Sequence, residues 1–242
     1  MQAVSSKTKG LSGSVTIPGD KSISHRALMF GALAAGQTNI TGLLESDDVL
    51  NTKQVLQDLG VDIRQQAEAY VVEGMGQKGF REPMSPLNCG NSGTAMRLLA
   101  GLIAGQGVGV TLMGDESLSK RPMKRVIVPL TQMGATVDAK QGGKPPLSIS
   151  PSSLKPISYE LPVASAQVKS CVLLAGLGIE GETTVIENEK SRDHTEKMLK
   201  AFGADIRVED KDGQTHITIC GGKQLTAQEV HVPADPSSAA FF

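Results

Sequence analysis

Three stretches of this chain close in the same way, with an amphipathic run, a glycine and then the start of a β-like run. They are VLQDLGVDI at Gly60, LTQMGATV at Gly134 and MLKAFGADI at Gly203, spaced by 74 and 69 residues. Glycine suits that junction because a helix commonly stops on a left-handed residue, where the missing Cβ removes a steric penalty. A second ladder runs in step with the first. RALMFGALAAG ends at Gly36, MRLLAGLIAG at Gly105 and VLLAGLGIEG at Gly181, and the β-rich stretches TNITG, VGVTLMG and TTVIEN follow them. Self-similarity at such a period constrains architecture more than local propensity does.

Each unit reads strand, helix, strand, helix and a strand pair, such as VDIRQQ with AYVVEG, or ADIRVED with THITICG about Asp212-Gly213. The expected fold is α/β, a lobe of three βαβαββ repeats about a pseudo-threefold axis. RALMFGALA, AMRLLAGLIA and VKSCVLLAGL are apolar nearly all round, which calls for burial on most sides, whereas DDVLNTKQVLQDL and RDHTEKMLKAF are amphipathic and belong outside. The flanks LSGSVTIPGDKSISHRAL and EVHVPADPSSAAFF share one pattern, a strand, Pro, x, Asp, x, Ser and a small-residue helix, at 15–26 and 230–242. The second reads as the opening of a fourth unit, so the sequence is expected to be part of a longer protein.

Composition removes several function classes. The 24 Lys+Arg against 25 Asp+Glu, a formal charge of −1, give no bulk attraction for nucleic acid or anionic membranes. With 2 Tyr, 5 Phe and no Trp there is almost no material for stacking bases, so a ligand is held mainly by polar groups. Cys89, Cys171 and Cys220 are widely spaced and form no CxxC pair, which fits a reducing, cytoplasmic setting. The start, MQAVSSKTKG, lacks an apolar core, and no run approaches the roughly 18 apolar residues of a membrane span.

Four segments place Ser, Gly, Asn and basic residues at a strand-to-helix junction or in the loop after it: PGDKSISHR (18–26), CGNSGTAMR (89–97), GDESLSKRPM (114–123) and VASAQVK (163–169). Helix N-termini carry unpaired N–H groups and a positive dipole end, so they bind anions. Ser22, Ser92 and Ser165 are either caps alone or caps that also touch a ligand. Capping does not need cations, and Lys21, Arg26 and Arg97 recur beside these junctions. Lys120, Arg121, Lys124 and Arg125 form a basic cluster that is either a solvated face or a grip on an anion, Arg through its planar fork and Lys as a point charge.

Other patterns are excluded. GMGQKG (74–79) matches GxGxxG but is followed by FREPMSPLNCG, with two prolines and no helical period, so it is a turn and not a dinucleotide site. His25, His194, His216 and His231 show no metal-ligand spacing; no metal or cofactor is expected. His194 is the exception among them, because it sits at a loop-to-helix junction in SRDHTE. Cys89 is either a nucleophile near a helix N-terminus or, lacking a nearby base, simply buried.

PGDKSISHRALMFGALA, NCGNSGTAMRLLAG, GDESLSKRPMKRV, PVASAQVKSCVLLAGL and EKSRDHTEKML together resemble the enolpyruvyl transferase family, most closely its branch acting on shikimate 3-phosphate. The resemblance implies a two-lobed, inside-out α/β barrel fold. Residues 1–19 would be a stub of the second lobe, 20–232 one complete three-repeat lobe, and 233–242 the truncated start of the second, missing lobe. The reaction implied is transfer of the enolpyruvyl group from phosphoenolpyruvate to the 5-hydroxyl of shikimate 3-phosphate with release of phosphate, in aromatic amino acid biosynthesis.

Carried over by motif, Lys21, Gly93 and Arg121 would meet phosphoenolpyruvate, with Asn91 shaping the loop. Lys21 and Arg121 would be the catalytic cations. Ser22 and Arg26 would meet the ring substituents of shikimate 3-phosphate, Ser165 and Ser191 its phosphate, and Gln167 its ring, with Arg192 in reach. Some family members have a second Ser where Ala166 stands and an aromatic where His194 aligns. Ala at Gly93 goes with tolerance of the inhibitor glyphosate, so Gly implies ordinary sensitivity. The family's acid and base carboxylates lie in the other lobe, and the chain alone is expected to be inactive. Two rival readings are UDP-N-acetylglucosamine enolpyruvyl transferase, which relies on a Cys absent from GDESLSKRPM, and a non-catalytic anion-binding module.

Overall fold

Gly60, Gly134 and Gly203 have φ of 96°, 102° and 85° in the computed structural model, which describes residues 4, 10, 12–76 and 79–240. They end the outer helices α2 (Asp47–Asp58), α4 (Lys124–Gln132) and α6 (His194–Ala201). In all three, the residue after the glycine donates to a carbonyl five residues back, Val61 to Leu56 at 3.0 Å, Ala135 to Leu130 at 2.9 Å and Ala204 to Leu199 at 2.9 Å. The glycine N–H itself reaches back three residues, to Gln57, Thr131 and Lys200. This is one helix-stop motif made three times, and it satisfies carbonyls that the helix end leaves unpaired.

The strands form three four-stranded sheets with the same pattern of pairing. One holds β12 (Glu229–His231), β1 (Ala35–Thr41), β3 (Ala69–Met75) and β2 (Asp62–Gln66), in that order. The next is β4 (Leu87–Asn88), β5 (Val110–Met113), β7 (Lys144–Ser150) and β6 (Thr136–Lys140). The third is β8 (Ser158–Glu160), β9 (Gly181–Glu187), β11 (Gln214–Gly221) and β10 (Asp205–Lys211). In each, the first pair is parallel and the others antiparallel. Asp212 and Gly213, at φ 51° and 80°, make the β10–β11 turn, as the sequence predicts.

Two expectations need correction. No ladder strand forms over 15–17. The parallel edge of the first sheet is supplied instead by β12, paired Ile40 to Val230, so the first unit is closed by the far end of the chain. Near residue 19 the two flanks cross, Asp20 N–H donating to Pro233 O at 2.8 Å and Asp235 N–H to Pro18 O at 2.9 Å. The short α7 (Pro236–Ala239) follows that crossing.

The second correction concerns Gly105, which lies inside α3 (Gly93–Gln106) and stops nothing. It is small because α3 and α5 (Ala166–Leu177) pack backbone to backbone. A Cβ on Gly105 would lie 2.7 Å from Ala175 O, and one on Gly101 2.0 Å from Cys171 O. With α1 (Lys21–Leu33) these helices carry the core, and Val168 to Leu177 of α5 are buried without a break. GMGQKG opens at the end of β3, no helix follows over 79–86, and Gln77 and Lys78 lie outside the described residues.

Candidate functional site

The caps of the three buried helices are Asp20, Ser92 and Ser165. Asp20 Oδ1 accepts from Ile23 N at 2.8 Å, Ser92 Oγ from Ala95 N at 3.1 Å and Ser165 Oγ from Val168 N at 3.4 Å. Ser92 is 2% exposed and is not among the residues of the cleft that Ser22 and Ser165 line, whereas Ser22 is not a cap, since Asp20 takes that place. Two residues past each cap stand Ser22, Thr94 and Gln167, the same position in three units. All three line one cleft of about 350 Å³ together with Arg26, Ser165, Ala166, Ser191, Arg192 and His194. Thr94 is the residue that reading the motifs missed, and its equivalence to Ser22 and Gln167 is the signal that finds it.

Arg26 forms the floor. Its residue is 3% exposed, with Nε on Thr195 Oγ1 at 2.7 Å, Nη2 on Ser170 Oγ at 2.7 Å and Nη1 on the Ser22 carbonyl at 2.9 Å. Burial brings its pKa down to about 10, against the attraction of Glu196 and Asp20, so it stays cationic. Arg192 adds a second, exposed cation. The pKa of His194, first residue of α6, is lowered from the ordinary imidazole value by burial and then by Arg26. None of the lining residues is a carboxylate. The cleft is a polar cup with fixed positive charge and three helix N-termini around it, suited to an anion.

A second group adjoins it through Gln167, whose Oε1 accepts from Arg97 Nη1 at 2.7 Å and whose Nε2 donates to Thr94 Oγ1 at 2.8 Å. Arg97 lies against Gly93, where a Cβ would sit 2.9 Å from Arg97 Nη1 and 3.4 Å from Arg121 Nη1. Arg121 donates to Asn91 and, at 3.2 Å, to Ser117, and Asn91 donates on to Asp115 at 2.6 Å. Burial, then the neighbouring Arg125 and Arg121, lower the Arg97 pKa. The basic cluster is thus divided, with Arg121 turned toward Asn91 and Lys120 paired in solvent with Glu116 at 2.6 Å.

Lys21 does not line the cleft. Its half-exposed ammonium is paired with Asp48 of α2. Cys89 is fully buried and its thiol is pushed up to about 12 by burial, which removes it as a nucleophile. His25 is also buried, between Thr52 Oγ1 at 2.8 Å and Ser92 Oγ at 3.4 Å, and belongs to the core.

Comparison with known proteins shows what the chain is similar to. The sequence pattern of the EPSP synthase (3-phosphoshikimate 1-carboxyvinyltransferase) family matches residues 5–242. The 3-phosphoshikimate 1-carboxyvinyltransferase of Hydrogenovibrio crunogenus is 57% identical over 235 residues, 96% of this chain and 53% of that protein. The enzyme of the same name from Brucella canis is 52% identical over 241 residues, 99% of this chain and 54% of its own length. A solved structure of EPSP synthase from Acinetobacter baumannii superposes with a TM-score of 0.87 at 50% identity, covering 95% of this chain and 51% of that one. The chain therefore spans about half the length of the relatives it matches.

Proposed function

From the premise that the chain belongs to the EPSP synthase (3-phosphoshikimate 1-carboxyvinyltransferase) family, we propose that its cleft seats shikimate 3-phosphate during transfer of an enolpyruvyl group from phosphoenolpyruvate to the 5-hydroxyl. The carrying observation is that Ser22, Arg26, Ser165, Gln167, Ser191 and Arg192, from three distant segments, wall one cleft that holds cations and no carboxylate. Ser165 and Ser191 take the phosphate, Ser22 and Arg26 the ring substituents, and Gln167 the ring, with Arg192 at the mouth. Ala166 offers only its backbone where a second hydroxyl is an alternative.

Phosphoenolpyruvate is assigned to the adjoining group of Gly93, Arg121 and Asn91, where Gly93 leaves room against two guanidinium groups. Lys21 joins it by exchanging Asp48 for the ligand. The 5-hydroxyl oxygen bonds to C2 of phosphoenolpyruvate as its proton leaves and C3 gains one, which gives a tetrahedral intermediate; C3 then gives up a proton as the C2–O bond to phosphate breaks, which restores the double bond and releases phosphate. Arg121 and Lys21 offset the negative charge that gathers on the way.

Proton transfer at both ends needs an acid and a base, and no carboxylate lines the cleft. We assign the carboxylates that do this work, and the closure that excludes water, to a second lobe. In the described residues no helix is long and apolar enough to cross a membrane, and the free cysteines suit a cytoplasmic setting.

Calorimetric titration tests the reading. Shikimate 3-phosphate is expected to bind weakly and UDP-N-acetylglucosamine not at all; the reverse order supports the sugar-nucleotide branch. A coupled phosphate-release assay on the chain alone is expected to stay at background, and steady turnover overturns the division of labour between lobes.

A further inference from the structure

Arg26 is buried without a counter-ion. Among the described residues it makes no ion pair, and Glu196 and Asp20 attract it without touching it. A guanidinium presents Nε and one Nη as an edge that a carboxylate commonly takes with both oxygens. Here that edge meets two hydroxyls instead, Thr195 Oγ1 at 2.7 Å from Nε and Ser170 Oγ at 2.7 Å from Nη2. The two oxygens lie 2.6 Å apart. Ser170 of α5 and Thr195 of α6 are fully buried and do not line the cleft, whereas Arg26 does.

One assignment of protons satisfies every contact. Ser170 donates to the Ala166 carbonyl at 2.6 Å, so its oxygen only accepts, from Arg26 Nη2 and from the Thr195 hydroxyl. Thr195 in turn accepts from Nε and donates to Ser170. With Nη1 on the Ser22 carbonyl, three of the five guanidinium N–H groups are used by neutral oxygens and two are left over. A cation buried among neutral acceptors is unfavourable, and an anion arriving beside it relieves that cost. We propose that Ser170 and Thr195 are positioning residues for the ligand cleft: they fix the plane of Arg26 by a neutral clasp from α5 and α6 and leave its charge to an anionic ligand. A carboxylate in their place would hold the guanidinium as firmly and cancel that charge. The effect on affinity rests on the reading that Arg26 meets shikimate 3-phosphate; the clasp itself does not.

The experiment follows exchange of the Arg26 Nε–H with water by NMR in the ligand-free chain labelled on arginine, with the signal assigned by its loss in Arg26→Lys, and then titrates shikimate 3-phosphate. Wild type is expected to show slow exchange, and rapid exchange there overturns the proposal without any variant. Thr195→Val keeps the shape and removes the hydroxyl; it is expected to speed exchange about tenfold or more and to weaken binding about tenfold. Thr195→Ser is expected to restore both to within about twofold of wild type. Ser170→Ala, which removes the Nη2 acceptor, is expected to weaken binding about as much as Thr195→Val and serves in its place if that variant does not fold. Thr195→Asp is expected to keep exchange slow and yet to bind no better than Thr195→Val; binding at the wild-type level overturns the need for neutral acceptors. Weaker binding in Thr195→Val with unchanged exchange, or no rescue by Thr195→Ser, marks a packing role and overturns positioning. In an Arg26→Lys background Thr195→Val is expected to add nothing, and additive losses overturn the proposal. If wild type does not bind shikimate 3-phosphate, the functional reading fails and the exchange measurements still decide the clasp.

Discussion

Arg26 shows how much a single side chain is asked to do: it is charged, 3% exposed and fixed by hydrogen bonds to Thr195, Ser170 and the Ser22 carbonyl. A lysine carries the same charge but no planar fork, so Arg26→Lys cannot meet all three acceptors in the geometry that the guanidinium does. Chemical denaturation is expected to show a loss of about 2 kcal/mol. His25 makes a different demand. Burial lowers its pKa to about 4 from 6.5, only partly opposed by Asp48, so the native protein holds it neutral where the unfolded chain binds a proton. Stability from this residue is fully present above pH 6.5 and falls as pH drops toward 4, by about 3 kcal/mol in all at 1.36 kcal/mol per unit. Urea unfolding between pH 7.5 and 4 is expected to show that slope, and His25→Gln to flatten it. At this scale the sequence is a partial guide. Motifs single out Arg26, Gln167 and Ser191, but they do not show that Lys21 turns to Asp48 or that Asp20, not Ser22, caps α1, because both depend on which groups lie within reach after folding.

Among the elements, glycines separate two kinds of constraint that look alike in the sequence. Gly203 is needed for its backbone, at φ 85°, with nothing nearer than 3.8 Å to a Cβ placed there; Gly101 is needed for its absent side chain, 2.0 Å from the Cys171 carbonyl. Gly203→Ala is therefore expected to cost about 1 kcal/mol through strain alone. For Gly101→Ala, the α3–α5 backbones must separate, and a loss of about 3 kcal/mol or more is expected, with a chain that fails to fold as the extreme outcome. Thermal unfolding of both variants, side by side, checks the ranking. The helix-stop reading is correct for Gly60, Gly134 and Gly203, whose neighbours repeat one local hydrogen-bond pattern, and wrong for Gly105, whose reason lies on another helix.

Across the whole molecule, the first sheet is closed by a strand some 190 positions further along the chain, β12 lying parallel to β1 at Asn39 and Glu229. Removing residues 229–242 is expected to open the edge of β1 and the crossing at Asp20, and amide hydrogen exchange of Ile40, Thr41 and the first turn of α1 is expected to rise well before that of α5. Equal protection throughout would mean that β12 contributes little. The sequence by itself determined the unit, its threefold recurrence, the stops of its outer helices, the burial of α1, α3 and α5, and the polar character of their N-termini. Each of those is written in local spacing and in the side chains an element can bury. Only the tertiary structure decided that β12 completes the first sheet, that Ser22, Thr94 and Gln167 face one cleft, and that Ser170 and Thr195 hold Arg26. Contacts such as Arg26 with Ser170, 144 positions apart, leave no periodic trace, since they follow from how packed helices bring their ends together and not from any property of the segments that meet.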